Sequence, residues 1–188
     1  MCCTLRPLCD DQGVAVIDEL VAIFDPRGNR VGGERRSVMR AKGLWHGSTA
    51  VLVRSGDGRR VYVHKRSDGK DFAPGMYDCW AGGVLGADED PASCAERELA
   101  EELGVSGVEV VPLFTATYLR PPVRAHMFAF ETRWDGPVVW QPEEVVSGGW
   151  MELAELRSRL ADPDWPFVPD GRQLIEEWFR RNPLPSSV

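Results

Sequence analysis

The stretch GVLGADEDPASCAERELAEELGV, residues 83–105, decides the reading of this chain. Asp90 stands where an N-cap would, Pro91 suits the first helical position, and Gly104 is placed to end a helix. Ala95, Leu99 and Leu103 fall on one stripe of that helix. Glu98, Glu101 and Glu102 follow at i, i+3 and i+4, so at about 100° per residue they share one arc beside the stripe. Carboxylates gathered at the edge of a buried face repel one another and lose hydration. A hard divalent cation relieves that conflict, because Mg²⁺ binds through a few carboxylates together with substrate phosphates. Arg97 can pair with Glu89 or a neighbouring acid and fix carboxylate orientation. The competing reading is a solvated helical face stabilised by charge. What sets the stretch apart is its full spacing: a glycine, five residues, Glu89, seven residues, Arg97-Glu98, then Glu101-Glu102 and a closing Gly104-Val105.

Outward from this segment, the chain reads as strands mixed with a few helices. Leu20–Phe24 predicts a strand and 25–29 (DPRGN) a turn. Ser37–Lys42 predicts a short helix ended by Gly43. Ser48–Arg54 and Arg60–Lys65 predict two strands joined by Ser55-Gly56-Asp57-Gly58. Ser67–Gly75 reads as a polar loop and Met76–Leu85 as a strand. Val108–Tyr118 and Ala125–Trp134 read as strands around Arg120-Pro121-Pro122. A loop or short strand follows at Val138–Gly149. Helices are expected near Ala154–Ala161 and Asp170–Asn182, the latter with Leu174, Ile175, Trp178 and Phe179 inward. This order indicates an α+β fold rather than a doubly wound parallel sheet. Residues 1–16 are expected to form an unstructured tail and 17–188 one domain.

The composition limits the function. The 188 residues carry 22 Lys+Arg against 29 Asp+Glu, a net charge of −7, so no basic stripe tracks a nucleic-acid polymer. No run approaches the roughly 20 apolar residues of a membrane span. The five cysteines form no CxxC pair, which suits reduced thiols and a cytoplasmic location. None of His46, His64 and His126 shows ligand spacing, so each is expected to be an ordinary hydrogen-bonded histidine. His64 is expected to face solvent, and His126 to be placed where it can line a cavity. Trp80, adjoining the glycine pair, is placed either to stack on a substrate ring or to pack in the core.

The 83–105 pattern resembles the signature of the Nudix hydrolases and matches it at every fixed position. The resemblance implies an α/β/α sandwich with a mixed central sheet. It implies that Glu98, Glu101 and Glu102, with the Gly82 carbonyl, bind Mg²⁺ or Mn²⁺. It further implies a hydrolase that cuts a diphosphate linkage in a nucleoside-diphosphate-X or related small diphosphate. Arg97 would orient the carboxylates, one of the acids would deprotonate water, and a homodimer is a frequent assembly. Glu143 and Glu144 are candidates for a base or ligand after the box, or else are exposed loop acids. Beyond the box, His46, Lys65-Arg66-Ser67 and Lys70 through Asp78, leading into Ala81-Gly82-Gly83, resemble the isopentenyl-diphosphate isomerase-like branch. There a cation pair spaced like Arg66 and Lys70 grips the diphosphate. True isomerases carry a catalytic cysteine where Gly82 stands and a metal-binding histidine where Val84 stands. The expectation is therefore hydrolase chemistry on that scaffold, with an isomerase and a non-catalytic binding module as alternatives.

Overall fold

A computed structural model of the chain describes residues 18–184. The expected tail, 1–16, lies outside the described residues. The strands are β1 (Leu20–Phe24), β2 (Arg30–Arg35), β3 (Trp45–Arg54), β4 (Arg60–Arg66), β5 (Tyr77–Asp78), β6 (Trp80–Ala81), β7 (Val111–Arg120), β8 (Val123–Arg133) and β9 (Val145–Glu152). The helices are α1 (Arg36–Lys42), α2 (Pro91–Leu103), α3 (Leu153–Leu160) and α4 (Pro169–Arg181).

All nine strands belong to one mixed sheet. Its spine is β3, which pairs parallel with β8 from Trp45↔Arg124 to Arg54↔Arg133 and antiparallel with β1. Period-2 alternation along β3 divides the core between two faces. Ala50 and Leu52 pack with Leu156 of α3 and with Leu174, Ile175 and Trp178 of α4. Val51 and Val53 pack with Ala95, Leu99 and Leu103 of α2. Helices therefore cover both faces, as the α/β/α expectation required, and a strand covered on both faces has an uninterrupted apolar run.

The β3–β4 hairpin closes only at its turn, where Arg54 pairs with Val61. Beyond that point the two strands diverge into separate limbs, with β8 on β3 and β9 on β4. One short stretch spans the gap. Tyr77 and Asp78 pair with Lys65 and His64 of β4, while Trp80 and Ala81 pair with Leu52 and Val51 of β3. The single strand expected at Met76–Leu85 is for this reason broken at Cys79: its two ends serve different limbs. The box loop continues along β3, with the Thr49 amide donating to the Gly83 carbonyl at 2.9 Å and the Leu85 amide to Gly47 at 3.0 Å.

The strand β2 went unread because Gly32 and Gly33 interrupt any apolar alternation. It forms as the antiparallel partner of β1 across the 25–29 turn. The β9 segment is a longer strand than expected. Elsewhere the boundaries move by up to three residues, the largest shifts being at the starts of β3 and β7. The caps of α2 are as read: the Asp90 carboxylate accepts the Ala92 and Ser93 amides at 3.0 and 3.1 Å, and Gly104 ends the helix at φ 65°.

Candidate active site

Because α2 lays its apolar stripe on the sheet, its acidic arc is held at the edge of the core. Glu102 is the deepest of the three, 3% exposed. One of its oxygens accepts the Gly82 amide at 3.0 Å, and the other lies 3.5 Å from the Lys70 ammonium. Burial pushes the Glu102 carboxyl up, against the opposing pull of Lys70 and the Gly82 amide. Glu98, one turn back, is likewise raised by burial and by the neighbouring Glu102 charge, while Arg97 opposes both. The glutamate Glu101 stands apart, its side chain 54% exposed. Among the described residues, no three His, Cys, Asp or Glu side chains converge closely enough to cage an ion as they stand.

Arg97 organises this face. Its fork grips Glu89 through Nε and Nη2 at 2.9 and 3.0 Å. Its Nη1 meets Glu98 at 2.8 Å and Glu101 at 3.0 Å. Bidentate arginine–carboxylate pairs fix direction as well as distance. The Arg97 guanidinium is accordingly held still more firmly charged, chiefly by Glu89, and Glu89 is lowered chiefly by Arg97. The expected Arg97–Glu89 pairing is thus present. Close approach requires two glycines here, one beside a glutamate and one beside β3. A Cβ on Gly83 would collide with the Glu98 carboxylate, and one on Gly82 with the Thr49 backbone.

Lys70 joins the box to two loops, since its ammonium contacts Glu144 as well as Glu102. Glu144 is brought there by the loop before β9, whose carbonyl at Glu144 accepts the Ser67 amide at 2.9 Å. Its neighbour Glu143 is exposed. Of the two candidate acids after the box, Glu144 is the one brought to the site.

Next to this cluster lies a cavity lined by Arg66, Lys70, Gly82 and Gly83, and also by Arg36 and Arg40 of α1. The α1 arginines escaped the sequence reading because a basic face on a short helix looks solvated. Their i,i+4 spacing was the available signal. Both reach Asp71, at 3.8 and 3.3 Å. Two more acids, the buried Asp78 and the half-buried Asp170, belong to the lining. The sequence hid them as well: Asp170 read as a helix start and Asp78 as part of a strand.

One open reading is decided and two expectations need correction. Trp80 is a buried core residue whose indole N–H donates to the Gly171 carbonyl at 3.1 Å, so its ring walls the cavity rather than standing free to stack. His64 does not face solvent: it is 1% exposed, because both faces of the sheet are covered at β4. Burial lowers its imidazole to about 3, and its Nδ1 has no hydrogen-bond partner among the described residues. His126 packs against Trp45 with Nε2 2.9 Å from the Asp25 carbonyl, away from the cavity lining. His46 does line the cavity and is hydrogen-bonded, its Nδ1 3.1 Å from the Leu44 carbonyl. The Cys79 thiol is buried in the core on the α3–α4 side. Among the described residues no helix is long and apolar enough to cross a membrane.

Residues 44–171 match the NUDIX domain. An uncharacterised Nudix hydrolase of Rhodococcus erythropolis, orf19, is 46% identical over 182 residues, covering 92% of this chain and 97% of that one. The uncharacterised Nudix hydrolase YfcD of Escherichia coli is 33% identical over 164 residues, covering 87% and 88%. In the fold, the crystal structure of DR0079 from Deinococcus radiodurans superposes with a TM-score of 0.74 at 22% identity, covering 85% of this chain and 98% of that one. A MutT protein from Methanosarcina mazei gives 0.61 at 20% identity, covering 74% and 96%. With the domain matched over most of its length and these relatives aligned nearly end to end, the chain belongs to the Nudix hydrolase family.

Proposed function

We propose that this Nudix hydrolase cuts the phosphoanhydride bond of a small diphosphate compound, using a divalent cation, Mg²⁺ or Mn²⁺, at the box glutamates. The observation that carries the reading is the pairing of two carboxylates, the buried Glu102 and the half-buried Glu98, one turn apart behind the wall of a cation-lined cavity. The donor set fits such an ion: carboxylate oxygens from Glu98, Glu101 and Glu102 with the Gly82 carbonyl are hard ligands, and Gly83 leaves space beside the Glu98 carboxylate. A cation held there supplies Lewis acidity and charge neutralisation at the phosphates.

The chain's own residues do the rest. Arg66 and Lys70 bind non-bridging phosphate oxygens, and Arg36 and Arg40 extend the positive wall. Arg97 keeps the carboxylates oriented through its four contacts. Water attacks one phosphorus, the bridging P–O bond breaks, and the leaving phosphate departs with the electron pair. Glu144, one residue from β9 and in contact with Lys70, accepts the water's proton. The substrate is a small molecule rather than a nucleic-acid polymer, and the buried free thiols Cys79 and Cys94 support a cytoplasmic setting.

The test is turnover of a panel of diphosphate compounds with Mg²⁺ or Mn²⁺, by wild type and by Glu102→Gln. Cleavage by wild type and its loss in the variant are expected. Equal turnover by both, or no cleavage of any diphosphate, overturns the reading.

A further inference from the structure

The inner wall of the cavity holds two carboxyls that the reaction above does not use. Asp78 ends β5 and Asp170 sits in the first turn of α4. Asp78 is 5% exposed. It accepts the Cys79 and Trp80 amides at 2.8 and 3.2 Å, and both go to the same oxygen, so the second oxygen receives neither. Asp170 accepts the Gly171 amide at 3.0 Å, again on a single oxygen. The two segments touch: a Cβ on Gly171 would come within 2.5 Å of the Asp78 carboxyl. Arg66 lines the same cavity, and its Nε is buried with no hydrogen-bond partner among the described residues.

The second oxygens of Asp78 and Asp170 call for hydrogen-bond donors, and the unpartnered Arg66 N–H calls for an acceptor, so a ligand filling this end gains by bringing both. An alkyl chain brings neither. A cationic amine would meet Arg40 and Arg66 in the same cavity. Burial raises both carboxyls, and the Asp170 charge adds to the rise of Asp78, to about 8, which favours the protonated form over the anion that an ammonium group would need. Such a carboxyl both donates and accepts, as a hydroxyl does. Apolar side chains from Met127, Val168 and Leu174 complete the wall and suit the C–H faces of a compact ring.

We infer that Asp78 and Asp170 hold the non-phosphate half of the substrate, and that this half is a neutral, hydroxyl-bearing group such as a sugar or polyol. The inference rests on the diphosphate reading for the other half. Its test is binding rather than turnover. Ribose 5-diphosphate and pentyl diphosphate, each with a methylene bridge between the phosphorus atoms, carry the same charge and differ in their hydroxyls. Calorimetry on the full chain with Mg²⁺ should show the ribose compound binding at least tenfold tighter. Asp170→Ala should remove most of that advantage. Asp170→Ser, which keeps a hydroxyl acceptor at the helix start, serves if the alanine variant does not fold. A pentyl compound that binds as well as the ribose one, or a ribose preference that survives in the Asp170 variant, overturns the inference. Cleavage of ordinary unbridged diphosphates is scored separately and bears only on the hydrolase reading.

Discussion

The molecule carries two acidic sites within one cavity's reach, and they are built in opposite ways. At the box, Glu98, Glu101 and Glu102 come from a single helix and are balanced by Arg97 and Lys70. At the inner wall, Asp78 and Asp170 come from distant parts of the chain and are held by backbone amides. The first is a cluster of charges kept apart by cations. The second is a pair of carboxyls that burial pushes towards the neutral form. Carboxylates of the first kind suit the phosphoryl end of a substrate, and carboxyls of the second kind suit hydroxyls. Nearness of acids alone does not define a function; what balances them does.

The sharpest way to break this contrast is Glu102→Gln, which keeps the shape and removes the deepest charge. Turnover of a cleaved diphosphate should fall by about 100-fold or more, with the fold intact by circular dichroism. A variant that retains wild-type kcat would make the box a structural feature. Next in size is Arg97→Lys. Lysine keeps a charge but cannot reproduce the fork to Glu89 and the Nη1 contacts to Glu98 and Glu101 together, so kcat should drop about tenfold with KM moving less. An effect on KM alone would assign Arg97 to substrate binding instead. Asp90→Ala tests whether the box depends on its helix start. Loss of the cap should cost about 1 kcal/mol, seen as a fall in Tm of roughly 2–4 °C.

The last test concerns the inner wall and reads pH rather than activity. Asp78 is raised to about 8 from an ordinary 3.8. Between those values the folded chain keeps a proton that the unfolded chain releases. The stability this gives is full below about pH 4 and is lost as pH rises through 8. Asp78→Asn removes the titrating group, so its stability should decline less than wild type between pH 5 and pH 8 in urea unfolding. Parallel declines would mean that Asp78 is not held neutral.

The contrast also explains what could be read from the sequence. The box was legible because its geometry is local: caps, stripe and acidic arc all follow from one helical period, and Asp90, Gly104 and the Arg97–Glu89 pair stand where that period puts them. Lys70 and Arg66 were legible from the resemblance, and the structure brings both to the cavity. Asp78, Asp170, Arg36 and Arg40 were not, because their meeting depends on which strands diverge and what spans the gap. His64 was misread for the same reason. Alternation gives the face of a residue but not whether that face is covered by elements from elsewhere in the chain. Trp80 sat correctly beside the glycines, yet its burial follows from α4 closing over it.

The stretch that bridges the two limbs also works as a ruler. Asp78 is paired to one limb and Gly82 follows directly on the pairing with the other, four residues later. Four residues of extended chain span at most about 14 Å. The separation between the group that would hold the substrate's ring and the backbone that would face its phosphates is therefore written into covalent geometry rather than into adjustable side chains. A longer substrate cannot be accommodated by stretching this segment. An inserted residue would not lengthen the scale by one mark either: it would turn the side chains beyond it to the opposite face of the sheet.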